Sequence, residues 1–312
     1  MKSPWTRWKQ SLIKPIFPAL AFQLSRTTAA GVRFAKKDKG LAAHALVSLP
    51  PGVLAPSFDR PNILDPKALE KAIRDGRSKL GPDGADISLL LPETCVRMFV
   101  LTFDALPELP PEREELFRWR LGKLVPLKPA EMRLGYDVIS SDPQAKVILA
   151  LGAASVLGDY EAAFARAGLK VRTLSVPTLP LAGLIPGEAA GSGALIVNCE
   201  EDYVSLAAIL GGEISLYRIK PFMSDSGTPE EAERRLDQII REIETTMNFI
   251  EDKEKARIDS LWIRPVAWPD RADAVADLRG FWPTLKISEF STPEGLTMTE
   301  RRVLAPLLGQ VM

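Results

Sequence analysis

The sequence predicts an α/β protein built from two domains of related plan, and three observations carry this. First, 312 residues exceed the ~100–200 of a usual single domain. Second, each half opens on three short apolar runs separated by turns, then a long amphipathic helix, then further strand and helix. Third, a small-residue stretch, Ala189-Ala190-Gly191-Ser192-Gly193, divides the halves and reads as a linker. The 46% hydrophobic and 26% charged content is that of a globular chain, not a disordered one. Its 26 prolines exceed the average of about 5%. They predict many medium elements joined by rigid turns.

Residues 1–18 form an amino-terminal arm. Trp5, Trp8, Leu12 and Ile13 are spaced i, i+3, i+7, i+8, and Arg7, Lys9 and Lys14 add positive charge. Two readings are open: a helix at an anionic membrane interface, or an arm packed on the protein's own body. Pro15, Pro18 and Lys14 interrupt the apolar region, which argues against a secretory leader. No apolar run reaches the ~18 residues of a membrane span.

Strands follow within 19–35 and 41–49, joined by the turn 36–40. Asp65 can cap and Pro66 can start a helix over 65–79. Strands are expected at 85–91 and 95–103. A helix at 110–123 has Glu112, Glu114 and Glu115 in its first turn, which suits the helix dipole. Strands at 133–140 and 145–152 pair across the turn 141–144. A helix over 156–166 ends at Gly168, before a strand over 169–176. Beyond the linker come strands at 194–199, 203–210 and 213–219, the last pair joined by Gly211-Gly212. The best helix starts at the cap Thr228, with Pro229 first and Glu231 completing a capping box. Its apolar face is Leu236, Ile239, Ile240, Ile243, Met247 and Ile250, and Glu230–Arg234 and Asp237–Arg241 are i,i+4 pairs on the other side. A strand at 260–263, a helix at 272–278, a strand at 284–287 and a helix at 299–308 close the chain.

Composition removes several chemistries. Forty cations balance forty acids, so no basic excess argues for nucleic acid. A zinc site built from histidine and cysteine needs at least three such ligands and this chain has three in all, so no metal site is expected. A Ser/His/Asp set would have to run through His44, which lies in an apolar alternating run and reads as a strand residue. Cys95 and Cys199 read as buried free thiols rather than a disulfide. Gly191-Ser192-Gly193 lacks the Gly-Lys-Ser/Thr of a P-loop.

Several stretches resemble a known family. Leu116 to Pro126 (LFRWRLGKLVP) followed by Glu131 to Ile139 (EMRLGYDVI), Val147 to Val176 (VILALGAASVLGDYEAAFARAGLKVRTLSV), Ala194 to Arg218 and Glu242 to Phe249 (EIETTMNF) occur in order. On them the chain resembles the type IV pilus assembly protein PilM family of the actin-like ATPase superfamily, over about residues 19–263. The resemblance implies an actin-like fold of two ribonuclease-H-like domains, 19–190 and 191–312. It also implies an insertion in the first, as in the cell-division protein FtsA, at about 95–170.

It implies, too, where a nucleotide would sit. The family's first phosphate loop reads like G-I-D-I-G-S-S-S-V-K; here the stretch is Ala21 to Ala30, with Gln23 at the acid and Ser25 at the second glycine. The second loop, like D-I-G-A, is Asn198-Cys199-Glu200-Glu201 here, with Asn198 at the acid and Glu200 at the glycine. The adenosine-side glycines fall near Trp262-Ile263-Arg264-Pro265, which has none. Phosphate loops need close backbone approach and a carboxylate that places Mg²⁺. Every change weakens Mg-ATP binding, so no cofactor and no catalysis are expected. By resemblance, the expected function is a non-catalytic scaffold, cytoplasmic and peripheral at the inner membrane, of a type IV pilus or related secretion system. Its expected partner is the cytoplasmic tail of a PilN-like membrane protein, held in a groove between the first domain's core and the insertion. Leu116, Trp119 and Arg120 are the first candidates for that contact, and Trp5, Arg7, Trp8 and Lys9 for membrane contact. The alternatives are an ATPase or sugar kinase of the superfamily, and a GspL-like platform component.

Overall fold

The computed structural model describes residues 17–35, 39–82, 84–141, 143–222, 228–268 and 273–310. The arm residues Trp5, Arg7, Trp8 and Lys9 lie outside the described residues.

Three antiparallel strands open the fold: β1 (Leu20–Leu24), β2 (Thr28–Phe34) and β3 (Leu41–Ser48). Helix α1 (Pro66–Leu80) follows, its first turn held by the Asp65 carboxylate, which accepts from the N–H groups of Lys67 and Ala68 at 3.1 and 3.0 Å. Strand β4 (Asp86–Leu90) then pairs parallel to β1. The chain next leaves this sheet. Strand β5 (Val96–Phe103), helix α2 (Pro110–Leu121), β6 (Met132–Ser140) and β7 (Ala145–Ala153) form a separate antiparallel sheet of order β5-β7-β6. Helix α3 (Ala154–Arg166) and β8 (Lys170–Ser175) return to the first sheet, whose order is β3-β2-β1-β4-β8. Phe164 of α3 packs edge-on to Phe22 of β1, with ring centroids 5.5 Å apart. The inserted sheet therefore occupies residues 96–153, inside the expected 95–170, while α3 and β8 belong to the first layer.

Two short helices, α4 (Thr178–Leu181) and α5 (Gly187–Ser192), lead to β9 (Ala194–Cys199), β10 (Tyr203–Leu210) and β11 (Glu213–Pro221). After α6 (Pro229–Phe249) come β12 (Ser260–Pro265), α7 (Ala274–Phe281), β13 (Lys286–Glu289) and α8 (Met298–Gly309). The second sheet runs β11-β10-β9-β12-β13. Both five-stranded sheets thus share one plan, an antiparallel triplet extended by two parallel strands. Gly211 and Gly212, both at positive φ, make the β10–β11 hairpin turn.

The structure corrects three expectations. The small-residue stretch 189–193 is not a slack linker. Most of it is α5, Ala189 and Ala190 pack on the core, and the Gly193 carbonyl accepts from Asp259 and Ser260. The closing helix α8 does not stay with residues 191–312. Its Leu304, Leu307 and Leu308 pack on Ala21, Ala30 and Val32 of the first sheet, because that sheet's outer face is apolar and otherwise uncovered there. His44 of β3, a strand residue as expected, meets the first turn of this helix, with Nε2 2.9 Å from Glu300 Oε1. On α6, Arg234 and Arg241 donate to the carbonyls of Glu230 and Asp237 instead of their carboxylates. Their Nε atoms reach the preceding turn's exposed backbone more closely than the side chain beyond it.

One hydrophobic core crosses the midpoint of the chain. Ala194 and Ile196 of β9 and Ala207 and Ile209 of β10 join a cluster with Phe22, Leu89 and Leu181. The alternate residues Leu195, Val197 and Cys199 face a second cluster under α6 and α7. Strand β9 is buried on both faces, which explains its apolar run from Ala194 to Val197. The two halves meet through core-like packing, with a buried polar network set into that junction.

Candidate functional site

Gln23 and Asn198 are the penultimate residues of β1 and β9, so the two positions where the resembling family keeps acids sit at the mouths of the two sheets. Parallel register sets Arg264 of β12 directly beside Asn198. Gln23, Asn198, Glu200 and Arg264 are each at most 2% exposed. The Arg264 guanidinium uses all three nitrogens. Nη1 donates to Asn198 Oδ1 at 2.7 Å and to Glu200 Oε1 at 2.5 Å, Nε donates to the Arg302 carbonyl at 2.5 Å, and Nη2 donates to the Val303 carbonyl at 3.3 Å. One side chain thereby ties β9, β12 and α8 together.

The facing hairpin turns touch directly. Thr27 Oγ1 donates to Glu201 Oε1 at 2.5 Å, and Gln23 Nε2 to Glu200 Oε1 at 3.4 Å. Ser25 turns inward on its own loop, its Oγ accepting from the N–H groups of Thr27 and Thr28. Below, Asn198 Nδ2 donates to Thr178 Oγ1 at 3.0 Å and Ser205 Oγ at 3.3 Å. The Thr178 N–H donates to Glu93 Oε1 at 2.8 Å. A hydrogen-bonded chain therefore runs from Gln23 to Glu93 across the junction. Burial raises the Glu93 carboxyl above its ordinary value, more than its bonds to Thr178 and Ser205 lower it. At the mouth, burial and then the Glu200 charge lift Asp202 from the ordinary 3.8 to about 6.

A second feature lies beside the insertion. A groove of about 340 Å³ separates the inserted sheet from the first one. Residues 133–137, five in succession from β6, line it, so it runs along that strand's edge rather than one face. Leu174 and Ser175 of β8, the edge strand of the first sheet, form the opposite wall with Val176 and Leu179. Ile148 and Ala150 of β7 form the floor. The alternate residues Val147, Leu149 and Leu151 point to the other face, where Phe117 and Leu121 of α2 cover them. Leu116, Trp119 and Arg120 are therefore not brought to the groove; Trp119 and Arg120 are exposed, on a helix that covers the far side of the same sheet.

Sequence reasoning placed Gln23, Ser25, Asn198 and Glu200 at this crevice but missed Arg264, Glu93 and Thr178. For Arg264 a signal was available. An arginine inside an apolar strand of a central sheet needs a buried partner, and Glu200 just past the neighbouring strand stands where the resembling family keeps a glycine. Glu93 and Thr178 carry no such signal, since their meeting depends on the path of the chain around the insertion.

No protein-family profile and no curated protein sequence matches the chain. Among solved structures, a chain of the PilM–PilN type IV pilus biogenesis complex superposes with a TM-score of 0.74 at 16% identity, covering 95% of this chain and 97% of that one. The cytoplasmic domain of EpsL, an inner-membrane component of the Vibrio cholerae type II secretion system, superposes with a TM-score of 0.52 at 10% identity, covering 94% and 93%. The chain has the actin-like α/β fold, in the PilM-like form with a small sheet inserted into the first of its two sheet layers.

Proposed function

We propose that this chain is a non-catalytic actin-like scaffold of the cytoplasmic inner-membrane platform of a type IV pilus or related secretion system. The observation that carries the reading is the crevice filled by Arg264. Mg-ATP would need a carboxylate near Gln23 or Asn198 and space between the two hairpin turns. Both positions are amides, the Glu200 carboxylate is held by Arg264, and Thr27 bonds Glu201 across the gap. Entry would break these contacts and set polyphosphate against Glu200 and Glu201, a like-charge cost on the order of several kcal/mol. The residues present do not fit the nucleotide.

The groove supports a binding role. Two free strand edges and an apolar floor suit an extended peptide, with backbone pairing for affinity and side-chain pockets for choice. The likeness to the PilM–PilN complex supports a PilN-like tail as the occupant, which would hold the scaffold at the membrane surface. No helix among the described residues is long and apolar enough to cross a membrane. Two measurements test the proposal. Thermal unfolding with Mg-ATP or Mg-ADP should not shift, and a shift of several degrees would overturn the non-catalytic reading. Titration of a PilN-like tail peptide from the same genome should saturate, and Ala150→Glu, which places a charge on the groove floor, should weaken it about tenfold or more. An Ala150→Glu variant binding as tightly as the parent would remove the groove from the proposal.

A further inference from the structure

The end of α2 has chemistry that neither the crevice nor the groove uses. From Leu116 to Ala130, fifteen residues contain four cations, Arg118, Arg120, Lys123 and Lys128, and no carboxylate. Elsewhere in the chain acids and bases nearly cancel. Phe117 and Leu121 of this stretch are buried on the inserted sheet. Trp119 and Leu124 are 59% and 54% exposed, and Lys123 Nζ stands 3.7 Å from the centre of the Trp119 ring. Arg120, Lys123 and Lys128 are also exposed.

The surface is built, not slack. Arg118 does not join the exposed cations. Its guanidinium donates to the carbonyls of Pro129 and Met132 at 2.6 and 2.7 Å and to Glu114 at 2.6 Å, which clips the loop after α2 back onto the helix. The N–H groups of Leu124 and Val125 both return to the Leu121 carbonyl. The end of the helix therefore holds Lys123 over Trp119 and fixes Leu124 one residue further on.

We propose that the carboxyl end of α2 and its loop are a docking surface for an anionic lipid bilayer. An isolated exposed apolar residue carries no message. An exposed indole and leucine among three exposed cations, with Glu114 paired to Arg118 and the exposed Glu115 and Glu131 flanking the stretch, match both layers of a membrane surface. The apolar groups enter the headgroup–acyl boundary, and the cations stay at the lipid phosphates. Two apolar side chains and three free cations give weak, reversible attachment, so this surface orients the insertion toward the bilayer and does not anchor the chain alone. The inference does not depend on the groove having an occupant.

Vesicle flotation of the full chain tests it. Binding to vesicles containing phosphatidylglycerol should exceed binding to pure phosphatidylcholine vesicles and fall at about 0.5 M salt. Arg120→Gln with Lys123→Gln should lower partition roughly 25-fold, about fivefold per cation removed. Trp119→Ser with Leu124→Ser should lower it about tenfold or more at unchanged thermal midpoint. In a Trp5→Ser, Trp8→Ser background, any residual binding should still fall with either α2 pair. Vesicle binding insensitive to both α2 pairs, as for a surface that serves a protein partner or for attachment through the amino-terminal arm alone, would overturn the inference. So would equal binding to phosphatidylcholine.

Discussion

Replacing Arg264 by methionine probes the crevice most directly. Methionine has similar length and no charge. The change leaves Glu200 buried, with Gln23 Nε2 at 3.4 Å as the side-chain donor left to it among the described residues, and takes a donor each from Asn198 and the carbonyls of Arg302 and Val303. Removing one partner of a buried, hydrogen-bonded ion pair costs about 3–5 kcal/mol, because the other charge stays behind. At this chain length about 2 °C of midpoint corresponds to 1 kcal/mol, so the thermal midpoint should fall by roughly 6–10 °C. Arg264→Lys keeps the charge but loses the planar fork that reaches both Asn198 and the α8 carbonyls, and should recover only part of the loss. The double variant Arg264→Met, Glu200→Gln should cost less than the two single changes added together, by about 1–3 kcal/mol. Urea unfolding followed by circular dichroism at neutral pH reads all four proteins. A loss below about 1 kcal/mol for Arg264→Met, or strict additivity in the cycle, would refute the buried-pair account.

Asp202 gives a prediction of opposite sign. Its folded-state pKa of about 6 lies above the ordinary 3.8, so the folded state favours the protonated acid, and ionisation costs stability as pH rises from about 4 through 6. Asp202→Asn should therefore match the parent near pH 4 and exceed it above pH 7, with a ceiling of roughly 3 kcal/mol that partial solvent access reduces; thermal midpoints whose difference does not widen between pH 4 and pH 7 would refute the reasoning. Gly193 tests the corrected linker. It sits at φ +105°, and an added Cβ would lie 2.2 Å from the Arg257 carbonyl oxygen, so Gly193→Ala should cost about 2 kcal/mol or more in urea unfolding, where a true linker would tolerate it.

Much of the fold was legible because local signals agreed with the tertiary outcome. The cap Asp65, the Gly211-Gly212 turn and the alternating apolar runs each depend on neighbours within a few residues. Even the altered loop positions Gln23 and Asn198 could be placed, since each is tied to a strand end. The misreadings share a different cause. Residues 189–193 look like a linker by composition, but small side chains also suit close backbone approach, as Gly193 shows against Arg257. Helix α8 carries no mark of which sheet it will cover. The groove is assembled from β6, β7 and β8, and its existence depends on how the insertion is set against the first sheet, which no local spacing encodes. Leu116, Trp119 and Arg120 were singled out on the resemblance and its implied groove, and neither tells which side of a sheet a helix covers.

The Arg264–Glu200 pair also bears on how such a scaffold could respond to its surroundings. An actin-like crevice with an exchangeable nucleotide has an occupant whose arrival and departure can move the two halves. Here the cation at the crevice belongs to the chain, tying β9 and β12 to α8, and the carboxylate it meets is equally fixed. No change in nucleotide concentration alters that contact on this reading. The apolar core continues through the same junction, from Phe22 and Leu181 into Ile196 and Ile209. Hinge opening would therefore expose both core surface and a desolvated ion pair. Signals that act on the protein must enter elsewhere, and the groove is suited to that, because its walls come from two different sheets. A peptide seated between β6 and β8 would fix the insertion relative to the first sheet while leaving the sealed junction untouched. On the proposed function, partner binding at the insertion is the route for regulation, since the crevice is held by the chain's own permanent charge.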